Sequence, residues 1–368
     1  MDPIIAATHA DPYPYYAQLR AEGGLVFHQQ LQLWVASSAA AVAAVLAHPD
    51  CHVRPFAEPV PKAIADGEAG EVFGRLMRMN DGPRQQCPRA AVEPGLAMID
   101  QDEARALVRA RLLTADADGL NKAMLRDPVR VVAALLGFTP DQERMISDLT
   151  ADFVACLSPL STTAQLAAAH SATEQLRGYF IELLEIPGVH SSLLTGIRQR
   201  AGDLDRETLI ANLIGLCSQT CEATAGLIGN ALVTLIQNPQ LPGGADEFLA
   251  EVQRFDPPVQ NTRRFVAAAC EIDRVSLAPG DTILLLLASA NRDPLLNEQP
   301  DTFLIDRPNR RSFSFGAGRH ECPGQLLALT IASATLTQIL AMKPALERLS
   351  WVYRPSLNGR IPVFHWFE

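Results

Sequence analysis

The sequence has no surplus of positive charge: 31 Lys and Arg stand against 41 Asp and Glu, a formal net charge of −10. That balance argues against nucleic acid as the main partner, because phosphates are met by a basic surface. Its seven cysteines are odd in number and irregularly spaced, so they do not describe a disulfide framework, and a reducing compartment is expected. Long apolar runs are missing as well. Ile283 to Ala290 is far short of the roughly 20 residues that cross a bilayer. Met1 to Tyr16 has no basic segment followed by an apolar core, so no secretory leader is expected and a cytoplasmic location is. Internal repeats, a Gly-rich phosphate loop, a His-Glu-x-x-His string and a nucleophile elbow are all lacking, which removes those motif-borne chemistries.

What is present is a chain of 368 residues, 48% hydrophobic and 20% charged, with 26 prolines, suited to a compact globular protein. A short helix is expected from Asp11-Pro12 to the Gly23-Gly24 stop, then two β-rich pieces between Leu25 and Val35. Ser37 to Ala47 predicts a serine-capped helix that ends before Pro49. Arg54 to Asp81, rich in proline and glycine, predicts a long and partly ordered loop. Arg84 to Gln237 is overwhelmingly helical, with breaks expected near Pro94, Gly119, Pro140, Pro159 and Pro187. Strands are expected at Gln260–Val266, Glu271–Leu277 and Thr282–Leu287, and strand and turn at Pro355–Trp366. The fold class is mainly α (α+β), a helical body with a smaller β region, in a single domain over 1–368.

The stretch from Arg310 to Leu329 carries the chemistry. Phe315-Gly316-Ala317-Gly318 is a turn that needs glycine, which reaches positive φ at little steric cost. Cys322 follows, then Pro323, Gly324 and an apolar run that predicts a helix with proline at its first position. A cysteine at a helix N-terminus is stabilised as thiolate by the dipole and the free N–H groups. Such a thiolate is suited to an axial place on haem iron. A bare Gly-x-x-x-Cys-x-Gly is better read as a buried structural cysteine beside a glycine turn.

Further upstream, Glu251-Val-Gln-Arg254 sets an acid and an arginine on one helix face. Phe255-Asp-Pro-Pro258, Val259-Gln-Asn-Thr-Arg-Arg264 and Ala290-Asn-Arg-Asp-Pro294 follow. With Phe315-Gly-x-Gly-x-His320-x-Cys322-x-Gly324, this order resembles the cytochrome P450 family over nearly the whole chain. Pro128 to Gly137 and Asn358 to Val363 are similar to a helix near the family's core and to its closing β-turn. The resemblance implies haem b (iron protoporphyrin IX), with Cys322 as the metal ligand and Phe315, Gly316, His320 and Gly324 shaping the cofactor loop. It implies Arg89, Arg264 and His320 as partners of the haem carboxylates, and Glu251–Arg254 as a brace. Asp81-Gly-Pro-Arg-Gln85 departs from the family's Asp-Pro-Pro-Glu-His/Gln string, and Pro88 is unexpected within a helix.

The long helix from about Glu207 to Gln237, capped by Asp205, matches the family helix that crosses the distal face of the haem. Anchored on Leu227-Ile-Gly-Asn-Ala-Leu232, Gln219 to Thr224 falls on the family's Ala-Gly-x-Asp/Glu-Thr-Thr. Glu222 takes the acid position, Ala223 replaces the first threonine and Gln219-Thr220 replaces Ala-Gly. The catalytic candidates are Glu222, Ala223 and Thr224. Oxygen activation needs protons from a positioned donor or an ordered water, and alanine offers neither. Three rescues are open: Thr220 or Thr224 reaches in, a substrate group supplies the relay, or the reaction bypasses oxygen activation. Either threonine can instead bond back to its own helix.

The other cysteines lack metal spacing beyond Cys217-x-x-x-Cys221, a pattern that also suits core packing. Arg307, Arg310, Arg311 and Arg319 cluster around the cysteine loop, a pattern that ordinary solvated charge also gives; because the family receives electrons on that face, the resemblance implies docking of an acidic ferredoxin-like electron donor. The segment Asn238 to Glu251 is abbreviated relative to the family. The implied function is a monooxygenase acting on a small organic substrate. One alternative is a haem-thiolate enzyme that uses peroxide, or rearranges or dehydrates its substrate. Another is a non-enzymatic haem-binding protein.

Overall fold

The computed structural model describes residues 1–186, 191–239 and 244–366. The helices are α1 (Tyr13–Ala21), α2 (Ala39–Ala47), α3 (Glu68–Arg75), α4 (Pro83–Ala97), α5 (Gln101–Arg109), α6 (Ala117–Leu125) and α7 (Asp127–Leu136). They continue with α8 (Pro140–Ala155), α9 (Thr163–Glu185), α10 (Ser192–Arg200), α11 (Arg206–Gln237), α12 (Ala245–Phe255), α13 (Leu287–Asn291) and α14 (Gln325–Ala341). The strands are β1 (Leu25–His28), β2 (Leu33–Ala36), β3 (Cys51–His52), β4 (Thr262–Val266), β5 (Cys270–Ile272), β6 (Val275–Leu277), β7 (Thr282–Leu285), β8 (Leu349–Tyr353) and β9 (Pro362–Trp366).

The chain forms two compact units, each drawn from separate stretches of the sequence. One comprises Met1–Ala57, Gly226–Cys322 and Lys343–Glu368. It holds a five-stranded sheet in the order β1-β2-β7-β4-β3, with β2 and β7 parallel and the other neighbours antiparallel. Strand alternation divides the side chains between two faces. Ala36, Val266, Ile283 and Leu285 pack with Ala41, Val42, Val45 and Leu46 of α2, while Val35, Leu284 and Leu286 pack with Tyr16 of α1. The other unit comprises Glu58–Ala225 and Pro323–Met342. Its core draws on α3 to α5 and α7 to α11 and takes Leu327, Ile331 and Ala334 from α14. The mainly α architecture with small sheets agrees with the reading of the sequence.

Several local expectations are corrected. Arg54 to Asp81 contains α3, because Ala69, Val72 and Phe73 bury one face of a helical turn. Gly70 lets that helix approach the chain closely: a Cβ there would lie 2.1 Å from the Ile64 carbonyl oxygen. Pro94 and Pro88 sit inside α4, and Gly119 lies within α6, held by the Asp116 cap that accepts its N–H at 2.7 Å. Tertiary packing overrides the breaker tendency at these places. Pro140 does begin a helix, with Thr139 and Gln142 forming a capping box. Glu271–Leu277 is not one strand but the hairpin β5–β6, turning at Asp273 and Arg274 with φ of 52° and 63°. Strand β8, which pairs with β9, was not anticipated. The expected break at Pro187 lies outside the described residues, as does 240–243 of the abbreviated segment.

Candidate functional site

Cys322 sits in a loop whose turns are made by Gly316 (φ 74°) and Gly318 (φ 68°). A side chain at either place would be strained. The Phe315 carbonyl accepts the Cys322 N–H at 2.8 Å, and the Gly316 N–H donates to the Phe313 carbonyl at 2.8 Å. Helix α14 starts at Gln325 with Gly324 as its N-cap, so Pro323 is not its first residue and Cys322 stands just before the cap. At the other end of the loop Arg319 donates to the carbonyls of His48, Pro49 and Cys51 at 2.9, 3.0 and 3.2 Å. Asn291, from the Ala-Asn-Arg-Asp-Pro string, accepts the Phe313 N–H at 2.6 Å and donates to Ser314 Oγ at 2.8 Å. Ser314 in turn donates to the Gln253 carbonyl on α12.

The same helix carries the brace. Glu251 and Arg254 are both 0% exposed and form a two-point pair at 2.7 and 3.0 Å. The carboxylate also receives Arg307 at 3.0 Å, Arg310 at 2.9 Å and the Leu304 N–H at 3.1 Å. Burial by itself would raise the Glu251 carboxyl, but these donors outweigh it and hold it below the ordinary carboxylate value. Arg307 and Arg310 are therefore internal cations of the brace, and Arg319 is committed to backbone carbonyls. This corrects the docking cluster, of which only Arg311 is exposed. The role of Arg310 was missed because nothing in its sequence spacing points to an acid 59 residues away.

Next in the string, Arg292 is sandwiched between the rings of Tyr13 and Phe255, 3.3 and 3.6 Å from their centroids. Tyr13 donates to Asp256 at 2.5 Å, and Asp256 pairs with Arg360 at 2.8 Å. The N-terminal helix, the end of α12 and the β8–β9 region are thereby joined.

Among the candidates for carboxylate partners, Arg264 is buried on β4, on the sheet face that Phe313 and Ala317 of the cysteine loop also pack against. His320 is half-buried in the 3-10 turn Gly318–His320. Arg89 lies on α4 and pairs with Glu93 through two bonds at 2.9 and 3.1 Å. Buried cysteines elsewhere are core residues; burial pushes the Cys217 thiol up to about 12 and that of Cys156 to about 11.

Helix α11 supplies the remaining candidates. Asp205 accepts the Thr208 N–H at 2.9 Å and caps it. From Leu209 to Thr234 the helix is buried except at Leu216, Gln219, Thr220, Glu222 and Ala223. Leu216, Gln219, Thr220 and Ala223 follow i, i+3, i+4, i+7 spacing, so they form one stripe facing open space, with Glu222 at its edge. The Thr220 hydroxyl donates back to the Leu216 carbonyl at 2.8 Å. Thr224 is off the stripe and 2% exposed, and its hydroxyl has no partner among the described residues. By helical spacing Glu222 and Thr224 flank the stripe on opposite sides, and burial separates them: Glu222 is partly exposed and Thr224 is buried.

These groups suit a haem. Cys322 offers a soft donor on a loop fixed at both ends, and Arg264 a buried cation for a carboxylate. No helix of the described residues is long and apolar enough to cross a membrane.

Comparison with known proteins bears on the same stretch. The cytochrome P450 family model matches residues 245–342, which include α12, the Ala-Asn-Arg-Asp-Pro string, the cysteine loop and α14. The chain is 30% identical to cytochrome P450 133B2 of Xylella fastidiosa over 250 residues, 63% of this chain and 62% of that protein. The matched part thus spans about three-fifths of that relative. It is 27% identical over 399 residues to the 20-oxo-5-O-mycaminosyltylactone 23-monooxygenase of Streptomyces fradiae, covering 100% of this chain and 90% of that protein. In fold it resembles the epothilone B-bound cytochrome P450epoK, with a TM-score of 0.82, 22% identity, and coverage of 99% of this chain and 98% of that one.

Proposed function

We propose that this chain, which belongs to the cytochrome P450 family, is a haem-thiolate monooxygenase acting on a small organic substrate in specialised metabolism. The observation that carries the reading is Cys322, held on a glycine-turned loop that Asn291 and Arg319 anchor and the Glu251 brace supports. Residues 1–368 would act as one catalytic domain, in the cytoplasm. Haem b would be held by Cys322 as metal ligand, with Arg264, His320 and Arg89 as partners of its carboxylates and Phe315, Gly316 and Gly324 shaping the loop. When bound, the haem supplies the oxygen-activating redox chemistry.

The chain's own part is to orient the substrate and move protons. Glu222 is half-buried at the edge of the α11 stripe and is our proton carrier, at its carboxyl group. Ala223 beside it cannot relay a proton. The Thr220 hydroxyl hydrogen is engaged by Leu216, and Thr224 is buried at the stripe's flank. These placements support a relay completed by a group of the substrate itself. An acidic ferredoxin-like donor is our choice of electron source, with Arg311 as the exposed cation available to it. The bare stripe at Ala223 supports a second reading, in which peroxide replaces the donor or the reaction is a rearrangement or dehydration.

The first test is the carbon monoxide difference spectrum of the purified holoprotein. A thiolate-type band that Cys322→Ala abolishes is expected, and a band that survives the substitution refutes the ligand. Turnover with a ferredoxin, its reductase and dioxygen is then compared with hydrogen peroxide alone. Turnover only with peroxide overturns the electron-transfer reading.

A further inference from the structure

Of the four residues in the accessible stripe, Gln219 alone combines an open position with an amide that has no hydrogen-bond partner among the described residues. It stands one helical turn before Ala223. Gly215, one turn earlier still, leaves room for it: a Cβ there would lie 3.0 Å from Gln219 Nε2 and 3.0 Å from Leu76 Cδ2. The amide therefore lies along the helix, over Gly215 and beside Leu76. The nearby segment is fixed, because Asn212 accepts the Met77 N–H at 2.8 Å and donates to the Arg75 and Thr208 carbonyls at 3.0 and 2.8 Å. Asn212 has thus spent its amide on structure, whereas Gln219 has not.

We infer that Gln219 is a specificity-determining residue, whose side-chain amide binds a neutral hydroxyl or carbonyl oxygen on an otherwise apolar substrate. This rests on the cytochrome P450 reading. An amide carries donors and an acceptor but no charge, so it suits a neutral oxygen better than a carboxylate or an ammonium. Leu216, Ala223 and Leu76 around it are apolar, which favours a substrate that is mostly hydrocarbon. A site built around a hydrogen bond discriminates strongly against the analogue that lacks the partner, because its own polar group is then left unpaired.

The test uses haem-loaded protein and a matched probe pair, benzophenone and diphenylmethane, which differ by a carbonyl in place of a methylene. Affinities are read by fluorescence-quenching titration and checked by the spin-state change of the haem spectrum. Wild type should prefer the ketone by roughly tenfold or more, about 1.4 kcal/mol at the level of one net hydrogen bond. Gln219→Leu should bring the ratio close to one while the carbon monoxide band and thermal midpoint stay as in wild type. Gly215→Ala, which keeps the amide but displaces it, should lower the ratio as well. A wild-type ratio near one, or a preference that survives Gln219→Leu, overturns the inference. Loss of the carbon monoxide band in wild type would instead strike the family reading on which it rests.

Discussion

Replacing Glu251 by glutamine removes one negative charge and changes almost nothing in shape. In the native protein that carboxylate receives Arg254, Arg307, Arg310 and one backbone N–H, with the pair to Arg254 fully buried. The arginines keep other acceptors: Arg254 reaches the Pro300 carbonyl at 2.8 Å and Arg307 the Thr302 carbonyl at 2.6 Å. Their N–H groups therefore stay partly satisfied, and what is lost is the compensating charge. Breaking a buried pair in this way costs about 3–5 kcal/mol. With an unfolding entropy of about 2.1 cal/mol/K per residue, a chain of 368 residues shifts by roughly 1.3 °C per kcal/mol, so the apparent midpoint should fall by about 4–6.5 °C. Urea unfolding of wild type and Glu251→Gln, followed by far-ultraviolet dichroism, measures the difference. Arg310 is 18% exposed and makes a single contact with the acid, so Arg310→Ala should cost less, about 1.5–3 kcal/mol. The double variant should fall short of the sum, since the two residues share one interaction. The pH dependence follows from the sign of the shift. Glu251 titrates below its unfolded value, so its contribution is complete above the unfolded carboxylate value, about 4.3, and fades as pH falls through the lower folded one. The gap between wild type and Glu251→Gln should be constant near neutrality and close in acid. A loss under about 1 kcal/mol, or a gap that widens on acidification, would refute the charge argument.

The other predictions concern backbone and packing. Gly316→Ala places a Cβ on a backbone with φ of 74°, 3.4 Å from the His320 carbonyl oxygen, and should cost about 1–2 kcal/mol and lower haem occupancy, read from the haem-to-protein absorbance ratio. Gly226→Ala would put a Cβ 2.6 Å from Pro258 Cβ, so overpacking of about 1–3 kcal/mol should offset the helix-propensity gain and lower the thermal midpoint. A rise in midpoint would mean that α11 does not approach Pro258 so closely. Tyr13→Phe removes the 2.5 Å bond to Asp256 and should cost about 1.5–3 kcal/mol in urea unfolding.

The parts of the site legible in the sequence were those whose residue types have one strong local reason. Glycines at 316 and 318 announced positive φ, and both have it. Glu251 and Arg254 stood three apart on a helix and do pair. Less legible was whatever depends on distant partners. Arg307 and Arg310 looked like surface charge because their acid arrives from 56 and 59 residues away. Pro94 and Gly119 looked like breaks because local propensity was set against packing that only the assembled helices supply. The back-bonding of Thr220 was foreseen as an alternative and is what occurs. Gln219 was noticed only as a departure from a pattern. Its significance emerged once burial along α11 separated five partly exposed positions from their neighbours.

One consequence concerns the order in which the ribosome delivers the parts. The backbone at 48–51, the Gln253 carbonyl and Asn291 all precede the cysteine loop in the chain, and each holds it by a hydrogen bond. Translation thus releases the receptor before the piece it receives, and Cys322 emerges with its side of the fold able to capture the loop as it appears. A thiol that must stay reduced until its cofactor arrives is exposed for the shortest time when its anchors are already waiting.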